Sequence, residues 1–261
     1  MSSYLETQQR LECCPLYAAT DPMTDTIEFL GTGTLVTFRG FDLLVTAAHV
    51  IENGRKFILM VAGPEEPLLL NRSALVTPLQ PGQTRQTDPF DFCVISLLPD
   101  EAARLRSKCR FIEWEREALT DVPSREWPHR FMGYPDTDNR PKIDIKTLTA
   151  NCLRVDAMED RSVIQHATAP GIKRYPTWYL GLRYDPRLLE PQSTRPKVKS
   201  LHGCSGGAIW RTDGSLILGF AGIVVQCHSP KPRPTGERIV YGFRAKSLDD
   251  LLSRWIEGGH L

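Results

Sequence analysis

The chain has 261 residues, 41% of them hydrophobic and 24% charged, with 32 Lys and Arg against 31 Asp and Glu for a formal charge of +1. That length suits one large domain or two closely packed subdomains with a substantial core, and nothing in the near-neutral balance demands a polyanionic partner, since a nucleic-acid binder usually shows a strongly basic domain or face. With 19 Gly and 20 Pro marking turns, and few stretches of sustained helical period, a β-rich fold is expected.

Residues 1–25 show weak periodicity and read as a lead-in; the first 15 hold no apolar core of the length a secretory signal needs. Strands are predicted over 34–39 and 42–46, joined by a turn at Gly40, then one or two helical turns over 47–53 and a strand over 56–61. Pro64, Pro67, Pro78, Pro81 and Pro89 each fix φ and lack an N–H, so this region reads as loops between short strands. A short apolar strand over 92–97 precedes a helix over 100–108 capped by Asp100. Pro123 and Pro128 flank a crossover, and 131–134, 143–155 and 177–182 read as further strands or hairpins. Residues 183–199 are locally basic, but Asp185 and Glu190 interrupt them, and a solvated loop is expected. Strands over 205–210 and 216–225 flank a turn at Asp213-Gly214. The run 216–225 is the longest apolar one and only about half a bilayer span, so no membrane segment is expected. A strand over 238–244 leads to the clearest helix, 247–257, where Ser247 and Asp250 make a capping-box-like start. Leu248, Leu251, Leu252 and Trp255 share its inner face and Gly258 follows its end.

The seven cysteines (Cys13, Cys14, Cys93, Cys109, Cys152, Cys204, Cys227) are odd in number and irregularly spaced, with no CxxC pair. A zinc site is not expected. Without a signal segment they read as thiols of a reducing compartment, which points to a soluble, cytoplasmic protein.

Three short segments carry chemistry together: Thr46-Ala47-Ala48-His49 after an apolar strand, Asp91-Phe92-Cys93-Val94-Ile95 with an acid heading another, and Gly203-Cys204-Ser205-Gly206-Gly207. A serine hydroxyl is a poor nucleophile until a base takes its proton. Imidazole suits that task near neutral pH, and a carboxylate on its far nitrogen fixes the tautomer. Glycines beside the serine allow a sharp turn and leave amides to face a developing oxyanion.

These segments, in the order His, Asp, Ser, resemble the motifs of trypsin-like (chymotrypsin-fold) serine peptidases, the last one matching their Gly-x-Ser-Gly-Gly nucleophile motif. The resemblance spans about Gly31 to the carboxy-terminal helix, and outside the motifs it is a match of pattern. It implies an all-β fold of two packed, six-stranded antiparallel barrels: the first over 26–122, the second over 123–246, and a carboxy-terminal helix over 247–261. It implies a catalytic triad of His49, Asp91 and Ser205 in the cleft, an oxyanion hole from the amides of Gly203 and Ser205, a protein or peptide substrate, and no metal or organic cofactor. It places the substrate pocket at Lys199, Ser200 and Leu201 and at Phe220, Ala221 and Gly222; a cation at Lys199 would favour acidic substrates. Many secreted members carry an aspartate before the serine, which pairs with a newly cut amino terminus. Cys204 stands there instead, so activation by that ion pair is not expected.

Alternatives stay open at this level. Cys204 competes with Ser205 as nucleophile, and Asp88 competes with Asp91 as the acid. His202 is either a substrate contact or a solvated loop residue, while His129, His166, His228 and His260 read as structural or surface residues. The same fold could also serve as a peptide-binding module without catalysis, or as a latent enzyme awaiting an activating protein partner or ligand.

Overall fold

A computed structural model of the chain describes residues 11–21, 26–51, 58–60, 68–70, 73–79, 81–82, 84–85, 88, 90–121, 123, 125–139, 151–165, 167, 170–185, 201–228 and 238–261. The strands are β1 (Cys13–Asp21), β2 (Thr26–Phe38), β3 (Phe41–Thr46), β4 (Ile58–Met60), β5 (Leu68–Leu70), β6 (Leu75–Val76), β7 (Cys93–Ser96), β8 (Ile112–Glu113), β9 (Pro128–Gly133), β10 (Leu153–Glu159), β11 (Tyr179–Tyr184), β12 (Ala208–Thr212), β13 (Ile217–His228) and β14 (Arg238–Arg244). The stretch read as a lead-in therefore contains a nine-residue strand, β1, whose Cys13 and Cys14 pair with Thr34 and Gly33 of β2.

The protein is mostly β-strand, in two units. β9 to β14 form a closed antiparallel barrel in the order β10-β11-β14-β13-β12-β9. The first half is an eight-stranded sheet in the order β5-β4-β1-β2-β3-β7-β6, with β8 pairing in parallel to β2. Among the described residues this sheet does not close on itself, where the resemblance implies a second closed barrel.

Side-chain alternation explains the layering. In β10, Val155, Ala157 and Glu159 are buried while Arg154, Asp156 and Met158 are exposed, the period-two pattern of a strand with one wet face. In β14 both faces are covered: Val240 joins Phe131, Leu182 and Ile209 inside the barrel, whereas Ile239, Tyr241 and Phe243 face a second cluster between barrel and sheet. That shared cluster also holds Tyr17, Val45, Phe92, Trp114 and Trp210. A third, inside the sheet, holds Leu16, Leu35, Leu44, Ile95 and Phe111. β3 thus sends Leu44 to one core and Leu43 and Val45 to another, which is why its sequence reads as a continuous apolar run rather than an alternating one.

The barrel interior changes character at one end. His129 and Arg211 are cross-strand partners on β9 and β12. With Glu159 and Arg244 they form a buried ionic layer in which Arg244 donates to the Glu159 carboxylate at 2.6 Å.

The carboxy-terminal helix is Ala245–Glu257, starting two residues before the predicted site. Its N-cap is Arg244 with no side-chain cap bond, so Ser247 and Asp250 lie inside the first turns. Packing overrides capping here: Ala245, Leu248 and Leu252 are buried, and Trp255 stacks on Phe92 with ring centroids 5.4 Å apart. The predicted hairpin turn is a four-residue loop closed by Asp213 N–H to the Leu216 carbonyl, 3.2 Å. The part of the predicted 143–155 strand before residue 151 lies outside the described residues. No helix among the described residues is long and apolar enough to cross a membrane.

Candidate active site

β3 ends at Thr46, and the chain turns into the short helix Ala48–Ile51. Ala47 and Ala48 are buried under this turn, and Val50 and Ile51 pack into the sheet core. His49 is left facing outward, its side chain 37% exposed. Small residues at 47 and 48 let the turn sit tightly, and the apolar pair after His49 anchors it.

Asp91 sits just before β7, which pairs with β3 through Thr46 and Cys93. That pairing brings the acid beside the histidine. Asp91 Oδ1 accepts the backbone N–H of His49 at 2.8 Å, and Oδ2 lies 2.5 Å from His49 Nδ1. A carboxylate accepts, so the bond is one in which His49 Nδ1–H donates to Oδ2, the tautomer that in a neutral imidazole leaves the Nε2 lone pair to take a proton. The rival Asp88 is buried in an ion pair with Arg85 at 2.6 Å and also accepts the Phe90 N–H at 2.9 Å. Burial raises its pKa above the usual carboxylate value against the pull of those hydrogen bonds. Asp88 therefore shapes the turn before Asp91 and does not reach His49. Thr77, which sequence reasoning passed over, donates to the Phe90 carbonyl and to the Phe92 carbonyl at 3.0 Å, bracketing Asp91. Phe92 itself lies stacked between Trp255 and Phe243.

The Gly203–Gly207 loop enters from the other unit. Gly203 and Gly206 have φ of +94° and +88°, the left-handed region that favours glycine. The loop is tied in nearly every direction. Cys204 N–H bonds the Leu201 carbonyl at 3.0 Å, Gly206 N–H the Val224 carbonyl at 2.6 Å, and Gly207 N–H the Cys204 carbonyl at 3.0 Å. The carbonyls of Ser205, Gly206 and Gly207 are taken by Thr32 N–H (3.1 Å), Thr34 Oγ1 (2.7 Å) and Val224 N–H (2.8 Å). Thr32 Oγ1 donates to the Gly203 carbonyl at 2.7 Å. Among the described residues, the backbone groups of this loop left without a partner are the N–H groups of Gly203 and Ser205.

Contacts around Gly31 locate the two motifs relative to each other. A Cβ there would stand 3.0 Å from Val50 Cγ1 and 3.4 Å from the Ser205 carbonyl, so the residue after His49 and the serine flank one glycine. Ser205 is 9% exposed. Cys204 is buried in the barrel core, its Cα close under Gly133, a setting that hides a thiol from substrate.

The remaining expected residues are placed as follows. Lys199 and Ser200 lie outside the described residues. Leu201 is buried in the barrel core. Phe220 packs edge-on against Trp114 and Trp210, with Ala221 and Gly222 following along β13. The part of β13 abreast of the serine loop is Val224, with a register irregularity between Val224 and Gln226. His202 is exposed, and its carbonyl accepts the Asp136 N–H at 2.6 Å. His129 is buried far along β9, while His260 is exposed. None of the seven cysteines is in a disulfide. Among the described residues no group of three or more His, Cys, Asp or Glu side chains is gathered to hold a metal.

No protein-family model matches the chain, and no curated protein matches it either.

Proposed function

We propose that this chain is a serine endopeptidase of the trypsin-like kind, cutting protein or peptide substrates through an acyl-enzyme. Ser205 Oγ attacks the scissile carbonyl. His49 Nε2 takes the hydroxyl proton and returns it to the leaving amine. Asp91 holds the imidazole by its Nδ1–H and stabilises the imidazolium. The N–H groups of Gly203 and Ser205 receive the oxyanion of the tetrahedral intermediate.

The observation that carries this reading is the pattern of bonded and unbonded groups in the serine loop. A loop tied at every other backbone position, yet leaving two neighbouring amides open beside a serine, is arranged to receive a negatively charged oxygen. The reading also takes the eight-stranded sheet and the closed barrel as the two packed barrels of that fold, with His49 and Asp91 on the first and Ser205 on the second. Fluorophosphonate labelling of the purified protein tests it: labelling at Ser205 that disappears in Ser205→Ala is the expected result. The alternative, a catalytically silent peptide-binding module, expects peptide binding with no labelling.

A further inference from the structure

We infer that Thr32 is a positioning residue: its buried hydroxyl, reaching across from the first sheet, sets the orientation of the oxyanion amides. The inference rests on the peptidase reading and names how that site is held ready.

Thr32 lies on β2, fully buried. It is bonded to the serine loop, to the strand that leads into His49 and to the end of β9. Its N–H donates to the Ser205 carbonyl at 3.1 Å. Its carbonyl accepts from Thr46 Oγ1 at 2.7 Å, at the end of the strand that leads into His49. Its hydroxyl accepts the Tyr134 N–H at 2.9 Å and donates to the Gly203 carbonyl at 2.7 Å.

The trans peptide geometry turns these bonds into an orientation device. In each planar unit the C=O and N–H point in opposite directions, so anchoring the carbonyl aims the amide. The two open amides belong to the units 202–203 and 204–205. The His202 carbonyl is anchored by Asp136 N–H and the Cys204 carbonyl by Gly207 N–H. The unit between them, 203–204, is the one Thr32 Oγ1 holds. Its N–H is held by the Leu201 carbonyl at 3.0 Å, and with both ends of the unit fixed, ψ of Gly203 and φ of Cys204 are fixed too, which leaves one soft torsion on each side between this unit and the two open amides. Gly203, at φ +94°, is the residue where rotation is easiest. The same hydroxyl holds Tyr134 N–H two residues before Asp136, so it also steadies the segment that anchors His202. A hydroxyl is needed for this relay because it accepts and donates at once; an isosteric methyl does neither. The position before the serine holds a buried cysteine with no carboxylate to fix the loop by an ion pair, and the Thr32 relay supplies that restraint from within the fold.

The test compares wild type, Thr32→Val, Thr32→Ser and, as a control for losing a buried hydrogen bond elsewhere, Tyr241→Phe, whose hydroxyl donates to the Val163 carbonyl at 3.2 Å. Readouts are fluorophosphonate labelling rate and, on a cleaved peptide, kcat and KM separately. A misaimed catalytic group costs about 100-fold, so Thr32→Val is expected to lower labelling rate and kcat by about that factor with KM little changed. Thr32→Ser is expected to recover most of the rate, and Tyr241→Phe to leave it intact despite a comparable fall in melting temperature. Should Thr32→Val not fold, Thr32→Cys decides, its weakly donating thiol slowing labelling without abolishing it. Labelling of Thr32→Val or Thr32→Cys at the wild-type rate, or a Thr32→Ser as slow as Thr32→Val, overturns the inference alone. Absence of labelling in the wild type overturns the peptidase reading and this inference with it.

Discussion

Replacing Gly206 by alanine separates two costs that usually arrive together. Gly206 and Gly40 share a left-handed backbone, with φ of +88° and +84°. An alanine at either costs about 1–2 kcal/mol for that conformation, partly offset by a stiffer unfolded chain worth about 0.4–1 kcal/mol. Around Gly40 a Cβ meets nothing within 4 Å, whereas at Gly206 it would fall 1.9 Å from the Thr32 carbonyl oxygen and 2.3 Å from Thr46 Oγ1. Relieving that overlap means displacing the loop and with it the bonds from Thr32 N–H to Ser205, from Thr34 Oγ1 to Gly206, and from Gly206 N–H to Val224. At about 1 kcal/mol each, their loss brings Gly206→Ala to about 4 kcal/mol, against about 1 for Gly40→Ala. At about 2–4 °C per kcal/mol for a chain of this size, thermal melting should fall by roughly 8–16 °C in the first variant and by a few degrees in the second. Denaturant titration gives the same comparison isothermally. Melting of the two variants within about 2 °C of each other would refute the close approach of the serine loop to β2, on which the description of the site depends.

Four further outcomes are expected. Asp91→Asn should slow Ser205 labelling by about 10³–10⁴-fold at neutral pH with little change in melting, while Asp88→Asn should cost about 1–3 kcal/mol by weakening the bond to Arg85 and leave labelling in the folded fraction; equal labelling losses would count against assigning the acid to Asp91. Cys204→Ala should still be labelled by fluorophosphonate, measured by intact mass, because its thiol sits in the barrel core. His129 is pushed down to about 4, by burial first and then by Arg211 and Arg244, against the opposing pull of Glu159 and the Trp127 carbonyl. Its folded value lies below the unfolded one near 6.5, so the unfolded chain takes up the proton first: stability is lost as pH falls from about 6.5 to 4, by about 3 kcal/mol in all. Denaturant midpoints across that window should show a smaller fall in His129→Gln. Arg244→Met should cost about 1.5–3 kcal/mol by removing the nearer of the two cations on the buried Glu159, 2.6 Å against 3.4 Å for Arg161, and adding Glu159→Gln should recover much of it; a double variant no more stable than the single one would show that the pair is not coupled.

Much of this protein is legible in its residue order. Strand β14 falls where β-branched and aromatic residues predict it, and β3 and β7 lie within a residue or two of the predicted 42–46 and 92–97. The carboxy-terminal helix follows from apolar side chains at helical spacing. The three motifs that suggest acyl transfer are local, each needing only a few adjacent residues to be recognised. β1 escaped notice because Cys13-Cys14-Pro15 breaks the expected alternation, and its burial comes from partners 21 and 19 positions away.

What the sequence by itself determined is therefore the set of local elements and the chemical types available to them. The tertiary structure alone decided which of them meet. Asp91 rather than Asp88 reaches His49 because β7 pairs with β3 in one register. Val224 rather than Phe220 lies against the serine loop because the β12–β13 ladder that pairs Ala208 with Ile223 runs on one step to Gly207 and Val224. Thr32, which no motif singled out, bonds Gly203 across 171 positions of chain, and Glu159 meets Arg244 across 85. Local propensity acts over a few residues, whereas register, bulges and the partners of buried polar groups are settled only when distant strands close on one another.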